Sequence, residues 1–130
     1  MDYNFLTLSE VLEIHANQIH LYGGDASIRD MSLLESACSM PQASFDDSYL
    51  HGDVYEIAAA YLYHIVNNHP FVDGNKRTGA VSALMFLHFN GYLLNVSQET
   101  FAEMVLSVAE SEMSKPDVAD FFRKCTEVKD

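Results

Sequence analysis

The stretch His69-Pro70-Phe71-Val72-Asp73-Gly74-Asn75-Lys76-Arg77-Thr78-Gly79 is a short polar turn set between two strongly apolar segments. Before it, Ile57 to Tyr63 is apolar on all sides, the mark of a buried central helix, here starting at Asp53 and running through Asn68. After it, Val81, Leu84, Met85, Phe86, Leu87 and Phe89 make a second helix that is apolar nearly all round, from about Asn75 to Asn90. Gly91 ends that helix. Two buried helices joined by this turn predict an all-α bundle that holds the turn rigidly.

The flanking segments are helix-like as well. Thr7-Leu8-Ser9-Glu10 has the capping-box pattern, and Leu8, Val11, Leu12, His15, Ile19 and Tyr22 follow at helical spacing up to Gly23-Gly24. Asp30 is placed to cap a short helix carrying Leu33, Leu34, Ala37 and Cys38, with Pro41 beyond it. Residues 41–52, with Asp46-Asp47-Ser48, are polar and mixed and predict an exposed loop or flap. Tyr92-Leu93-Leu94 reads as a short extended piece. Two amphipathic helices complete the chain, one over Gln98–Ser111 and one starting at Ser114, with Pro116 in its first turn and Asp117 reaching back to the cap.

No repeat, low-complexity tract or linker divides the 130 residues, so the expectation is one domain, 1–130. A 48% hydrophobic and 20% charged composition is that of a soluble globular protein. The chain starts without a basic signal region, and no apolar run approaches the roughly 18 residues of a membrane span. A cytoplasmic protein is therefore expected, with Cys38 and Cys125 reduced inside helices. The net charge of −12 argues against binding nucleic acid or anionic membranes. The few bases are placed unevenly. None lies between Arg29 and Lys76, where Lys76 and Arg77 stand side by side.

Taken singly, the residues of the turn are ordinary. His69 is a helix-end residue, Asp73-Gly74 a common turn, and Lys76-Arg77 a solvated pair. Together they point to an anion site. Gly74 lets the backbone approach a ligand closely. The helix beginning near Asn75 presents unpaired N–H groups and the positive end of its dipole. Lys76 and Arg77 in that first turn oppose the dipole, which implies an anionic ligand between them; Lys gives a compact charge and Arg a two-pronged grip. Asp73 is a hard oxygen ligand suited to magnesium on a phosphate chain. His69 is placed to take a proton from an attacking hydroxyl, and Phe71 to anchor the loop from beneath. The P-loop spacing is absent. His15/His20 and His64/His69 are five apart, which suits no zinc pair. His64 and His88 lie in apolar helices and read as core histidines.

His69-Pro70-Phe71-Val72-Asp73-Gly74-Asn75-Lys76-Arg77-Thr78 resembles the signature of the Fic/Doc superfamily, in its death-on-curing (Doc) branch. Tyr22-Gly23-Gly24, Ile28-Arg29-Asp30, Leu33-Leu34-Glu35-Ser36-Ala37, Tyr61-Leu62, Phe86-Leu87 and Asn90-Gly91-Tyr92 extend the resemblance over roughly residues 5–95. It implies a Fic/Doc helical bundle with the motif loop between the two central helices. Fic proteins usually transfer AMP from ATP to a protein hydroxyl and carry glycine where this chain has Lys76. Doc-type proteins carry lysine there and resemble kinases that pass the γ-phosphate of ATP to elongation factor Tu. The resemblance makes His69 the base, Asp73 the magnesium ligand, and Gly74, Asn75, Lys76 and Arg77 the nucleotide-phosphate grip. The 41–52 flap would dock the protein target. Ser9 and Glu13 have the spacing of the family's inhibitory motif, but Ile14 breaks it. Inhibition in trans by an antitoxin segment is therefore implied. Alternatives are transfer of AMP or another NMP to a protein hydroxyl, and a catalytically inactive Fic-fold binding module.

Overall fold

A computed structural model describes residues 2–46 and 48–129. Helix α1 spans Leu8–Tyr22 and opens on the Thr7/Glu10 capping box, with reciprocal bonds of 3.1 and 2.8 Å. Gly23, at φ +85°, closes it. Helix α2, Met31–Ser39, is capped by Asp30, whose carboxylate accepts from Leu33 N–H. Helix α3, Val54–Asn68, is capped by Asp53, and α4, Asn75–Phe89, starts at Gly74. Helices α5, Gln98–Ala109, and α6, Lys115–Cys125, follow, the second with the expected Ser114/Asp117 capping box. The architecture is all-α.

Helix α3 is the centre of the bundle. Ile57, Ala58, Ala59, Ala60, Tyr61, Leu62 and Ile65 are fully buried, and α2, α4 and α6 pack around them. Gly79 lets α4 lie close against α3, since a Cβ there would meet Val66 Cγ2 at 3.0 Å and the Leu62 carbonyl at 3.2 Å. The bundle therefore fixes the α3–α4 junction, which is where the motif sits.

Several expectations need correction. The 41–52 segment is not simply an exposed loop. Met40–Gln42 forms a 3-10 turn, and β1, Ser44–Phe45, pairs antiparallel with β2, Ser48–Tyr49, as a small hairpin. Pro41 and His51 are buried, while Phe45 is 78% exposed; Asp47 lies outside the described residues. The extended piece β3, Tyr92–Leu94, has a partner that periodicity did not suggest: β4, Thr126–Val128, just after α6. Helix α4 is not covered on every side. Val81, Leu84 and Met85 are half-buried and Phe89 is exposed, so one apolar stripe faces outward. His88 is exposed, not in the core, and pairs with Lys129 Nζ at 2.9 Å. Both cysteines are free thiols. Cys38 is buried, which pushes its thiol up to about 11, and Cys125 is half-buried. Among the described residues no helix is long and apolar enough to cross a membrane.

Candidate active site

Helix α3 ends in a sharp reversal. His69 takes a left-handed conformation, φ +52° and ψ +52°, which costs a non-glycine residue about 1 kcal/mol. Neighbouring groups hold it there. Arg29 Nε donates to the His69 carbonyl at 2.6 Å and its Nη2 to the Asn68 carbonyl at 2.9 Å, so one guanidinium covers two carbonyls at the helix end. The same segment runs beside the loop. The Pro70 carbonyl accepts from the N–H groups of Arg29 and Asp30, and Val72 N–H donates to the Ser27 carbonyl at 3.0 Å.

The next residues are held from inside. Asn75 accepts from Phe71 N–H through Oδ1 and donates to the Phe71 carbonyl through Nδ2, both at 2.9 Å. Phe71 is fully buried and stacks face to face on His15, with centroids 3.6 Å apart and planes 6° from parallel. His15 Nε2 lies 2.8 Å from the Asp73 carbonyl. Because that partner only accepts, Nε2 carries the hydrogen. Asp73 Oδ2 accepts from Asp25 N–H at 2.8 Å, and hydrogen bonds from Ser27 hold the Asp25 carboxyl below its ordinary value.

What remains open faces one cleft of about 620 Å³. His69, Asp73, Gly74, Asn75, Lys76 and Arg77 all line it, with Tyr22, Gly23, Gly24, Val66, Val72 and Ala109. The loop therefore gathers six of the seven proposed site residues on one surface and puts the seventh, Phe71, beneath them. Asn75 differs from expectation in manner. Its side chain is turned inward to Phe71, so a ligand would meet its backbone N–H. That group, with those of Lys76 and Arg77, precedes the first intrahelical bond of α4, Thr78 N–H to the Gly74 carbonyl at 2.9 Å. Lys76 is exposed, and Arg77 lies over the Tyr22 ring at 5.1 Å.

Among the described residues no three acidic, histidine or cysteine side chains cluster as a metal cage. Asp73 nevertheless fits a magnesium ion. Its Oδ1 is free of protein partners among the described residues, and magnesium commonly takes one or two carboxylates and completes its shell with phosphate oxygens and water. His15, Arg29 and Asp25 were not singled out from sequence. In the sequence His15 reads as one more core position of α1, and Arg29 as the last base before a long base-free stretch and part of the Ile28-Arg29-Asp30 resemblance, with no role in the site.

Residues 5–87 match the family model described as Fic/DOC family. The chain belongs to the Fic/DOC family. The chain is similar to a protein named Toxin Doc from Mycolicibacterium smegmatis, at 41% identity over 73 residues. That alignment covers 56% of this chain and 56% of the relative, so the chain spans about half the length of that protein. It is also similar to a protein named Protein kinase doc from Escherichia phage P1, at 34% identity over 115 residues, covering 88% of this chain and 90% of that one. Every residue named as lining the cleft except Ala109 falls inside the family match.

Proposed function

We propose that the protein is a Doc-like toxin that transfers the γ-phosphate of ATP to a hydroxyl of a translation factor of the elongation factor Tu kind. The convergence of His69, Asp73, Lys76, Arg77 and the α4 N-terminus on one cleft is the observation that carries this reading. The similarity to a protein kinase over most of both chains supports it.

The residues divide the work by chemistry. Lys76, Arg77 and the N–H groups of Asn75 to Arg77 bind the nucleotide phosphates and offset the charge that grows during transfer. Asp73 Oδ1 would hold magnesium, which would supply neutralisation of phosphate charge there. His69, exposed at the mouth of the cleft, accepts the proton of the incoming hydroxyl as its oxygen bonds to the γ-phosphorus. The bond from phosphorus to the bridging oxygen breaks and ADP departs. The bracing by Arg29, Asn75 and His15 keeps these groups in place without reorganisation at the moment of reaction. The small hairpin of β1 and β2 presents Phe45 and two short strand edges for the protein target. Restraint comes in trans, from an antitoxin segment supplied by a partner, and cytoplasmic location follows from such a target.

The test uses the purified protein with magnesium, elongation factor Tu and ATP labelled at the α- or the γ-phosphate, beside His69→Ala. Transfer from the γ-position alone is expected, lowered at least about 100-fold in the variant. Label from the α-position would replace the kinase reading with AMP transfer. Growth arrest that persists with His69→Ala would favour a non-catalytic binding module.

A further inference from the structure

The motif carries the charges of the cleft, but one of its peptide groups is oriented from outside it. The Asp73 carbonyl points down to His15 Nε2, 2.8 Å away on the buried side of the loop. In a trans peptide the C=O and the following N–H point in opposite directions. Gly74 N–H is therefore directed away from α1, toward the cleft that Gly74 lines, and it has no acceptor among the described residues. Gly74 is left-handed, φ +83° and ψ +15°, and Asn75 begins a right-handed helix. Alternation of that kind turns successive N–H groups into one concave, anion-binding nest.

We propose that His15 is a positioning residue of the phosphate site: by holding the Asp73 carbonyl beneath the loop, it presents Gly74 N–H as a further donor to the bound phosphate. This rests on the phosphate site described under Proposed function. Three observations set His15 apart from a residue that merely fills space. It is 3% exposed, and among the described residues its side chain's one polar contact is to a motif carbonyl. Its ring lies flat on Phe71, which fixes its height and plane. Its Cδ2 and Nε2 would lie 3.5 and 3.6 Å from a Cβ at Gly74, so it packs directly beneath the residue whose N–H it turns outward. Without the imidazole donor the Asp73 carbonyl would lack its protein partner, and the Asp73–Gly74 peptide would be free to rotate its oxygen toward the cleft. An oxygen there would repel phosphate where an N–H now attracts it.

Two substitutions separate the donor from the packing. His15→Phe keeps a flat ring on Phe71 and removes the N–H; His15→Gln removes the ring and returns an N–H at similar reach. The readout is the backbone amide spectrum of the full chain titrated with magnesium pyrophosphate, with thermal unfolding measured alongside. In the native protein the Gly74 amide should shift together with those of Asn75 and Lys76. His15→Phe should bind about tenfold more weakly and lose the Gly74 response, and His15→Gln should recover most of both. If His15→Phe lowers the unfolding temperature but binds pyrophosphate with native affinity and an intact Gly74 shift, His15 is structural only and the proposal is overturned. Should the variant not fold, the native titration still decides. A silent Gly74 amide beside responsive Asn75 and Lys76 refutes the role of His15 and leaves the phosphate site standing. No response from any of these amides removes the phosphate site itself, and this role with it.

Discussion

The two polar regions attached to α3 are built on opposite plans. At its C-terminal end, His69, Asp73, Lys76 and Arg77 keep their ionisable groups exposed, while buried His15 and Asn75 and the exposed Arg29 hold the backbone that carries them. On the flank facing α6 the ionisable groups bond to one another. Lys115 Nζ donates to Nε2 of His51 at 3.0 Å and of His64 at 3.2 Å, with His51 buried and the other two half-buried. Within the α6 cluster each imidazole offers the lysine a lone pair, so the ammonium has its partners inside the protein, although the buried Nδ1 of His51 has none among the described residues. The loop is incomplete by construction. Two cations in the first turn of a helix oppose its dipole, a cost that an anion removes. The contrast separates a polar group that serves folding from one kept available for a ligand.

The largest expected effect tests whether the loop depends on its buried half. Phe71→Ala removes a fully buried ring from between the core and the loop and should cost about 4 kcal/mol of stability. Urea unfolding measures the loss, and pyrophosphate binding by whatever fraction stays folded measures the loop. Native affinity in the folded fraction would mean that the backbone bonds alone shape the site, and the division into exposed charges and buried braces would fail.

A smaller effect is expected at Arg29, which is exposed but donates to two carbonyls at the end of α3. Arg29→Met keeps most of the stem and removes the donors. It should cost roughly 1–2 kcal/mol, with a larger proportional loss in phosphoryl transfer, since His69 would be released from its left-handed conformation. A drop in the urea midpoint with unchanged transfer would limit the guanidinium to stabilising the helix end.

Sequence periodicity and capping patterns are enough to place the six α-helices of the described residues, because each begins at a residue whose side chain or glycine conformation stops the preceding chain, and the two central ones are apolar almost throughout. Ser114 with Asp117 and Thr7 with Glu10 are local signals, satisfied within one turn. The pairing of Tyr92–Leu94 with Thr126–Val128 is not local: three residues of strand carry little pattern, and their partner is fixed only after α5 and α6 have folded back. The same limit hides the braces of the site. Nothing in Val11-Leu12-Glu13-Ile14-His15 distinguishes a histidine that holds a loop carbonyl from one that fills the core, and Arg29 meets Asn68 and His69 only through the tertiary fold. The motif was legible because its chemistry is concentrated in sequence; its support is dispersed.

The gentlest perturbation, a change of pH, should act on the α6 cluster in particular. Burial, then the charge of Lys115, then His51, pushes the His64 imidazole down to about 4. Burial and Lys115 also lower His51, against a smaller opposing pull from Glu56. Protonating either Nε2 would place an N–H against the ammonium that now donates to it. Both groups therefore bind protons less readily in the folded chain than in the unfolded one, whose imidazoles titrate near 6.5. Stability from the cluster is complete above that value and is lost progressively as pH falls toward 4. His64 is partly open to solvent, so screening reduces the effect to on the order of 1 kcal/mol between pH 7 and pH 5. The urea midpoint should fall accordingly, hydrogen exchange should quicken in α6 before it does in the Pro70–Gly74 loop, and His64→Leu should flatten the dependence. A midpoint that stays constant from pH 7 to pH 5, or exchange that quickens first in the loop, would show that the two regions are not energetically separate.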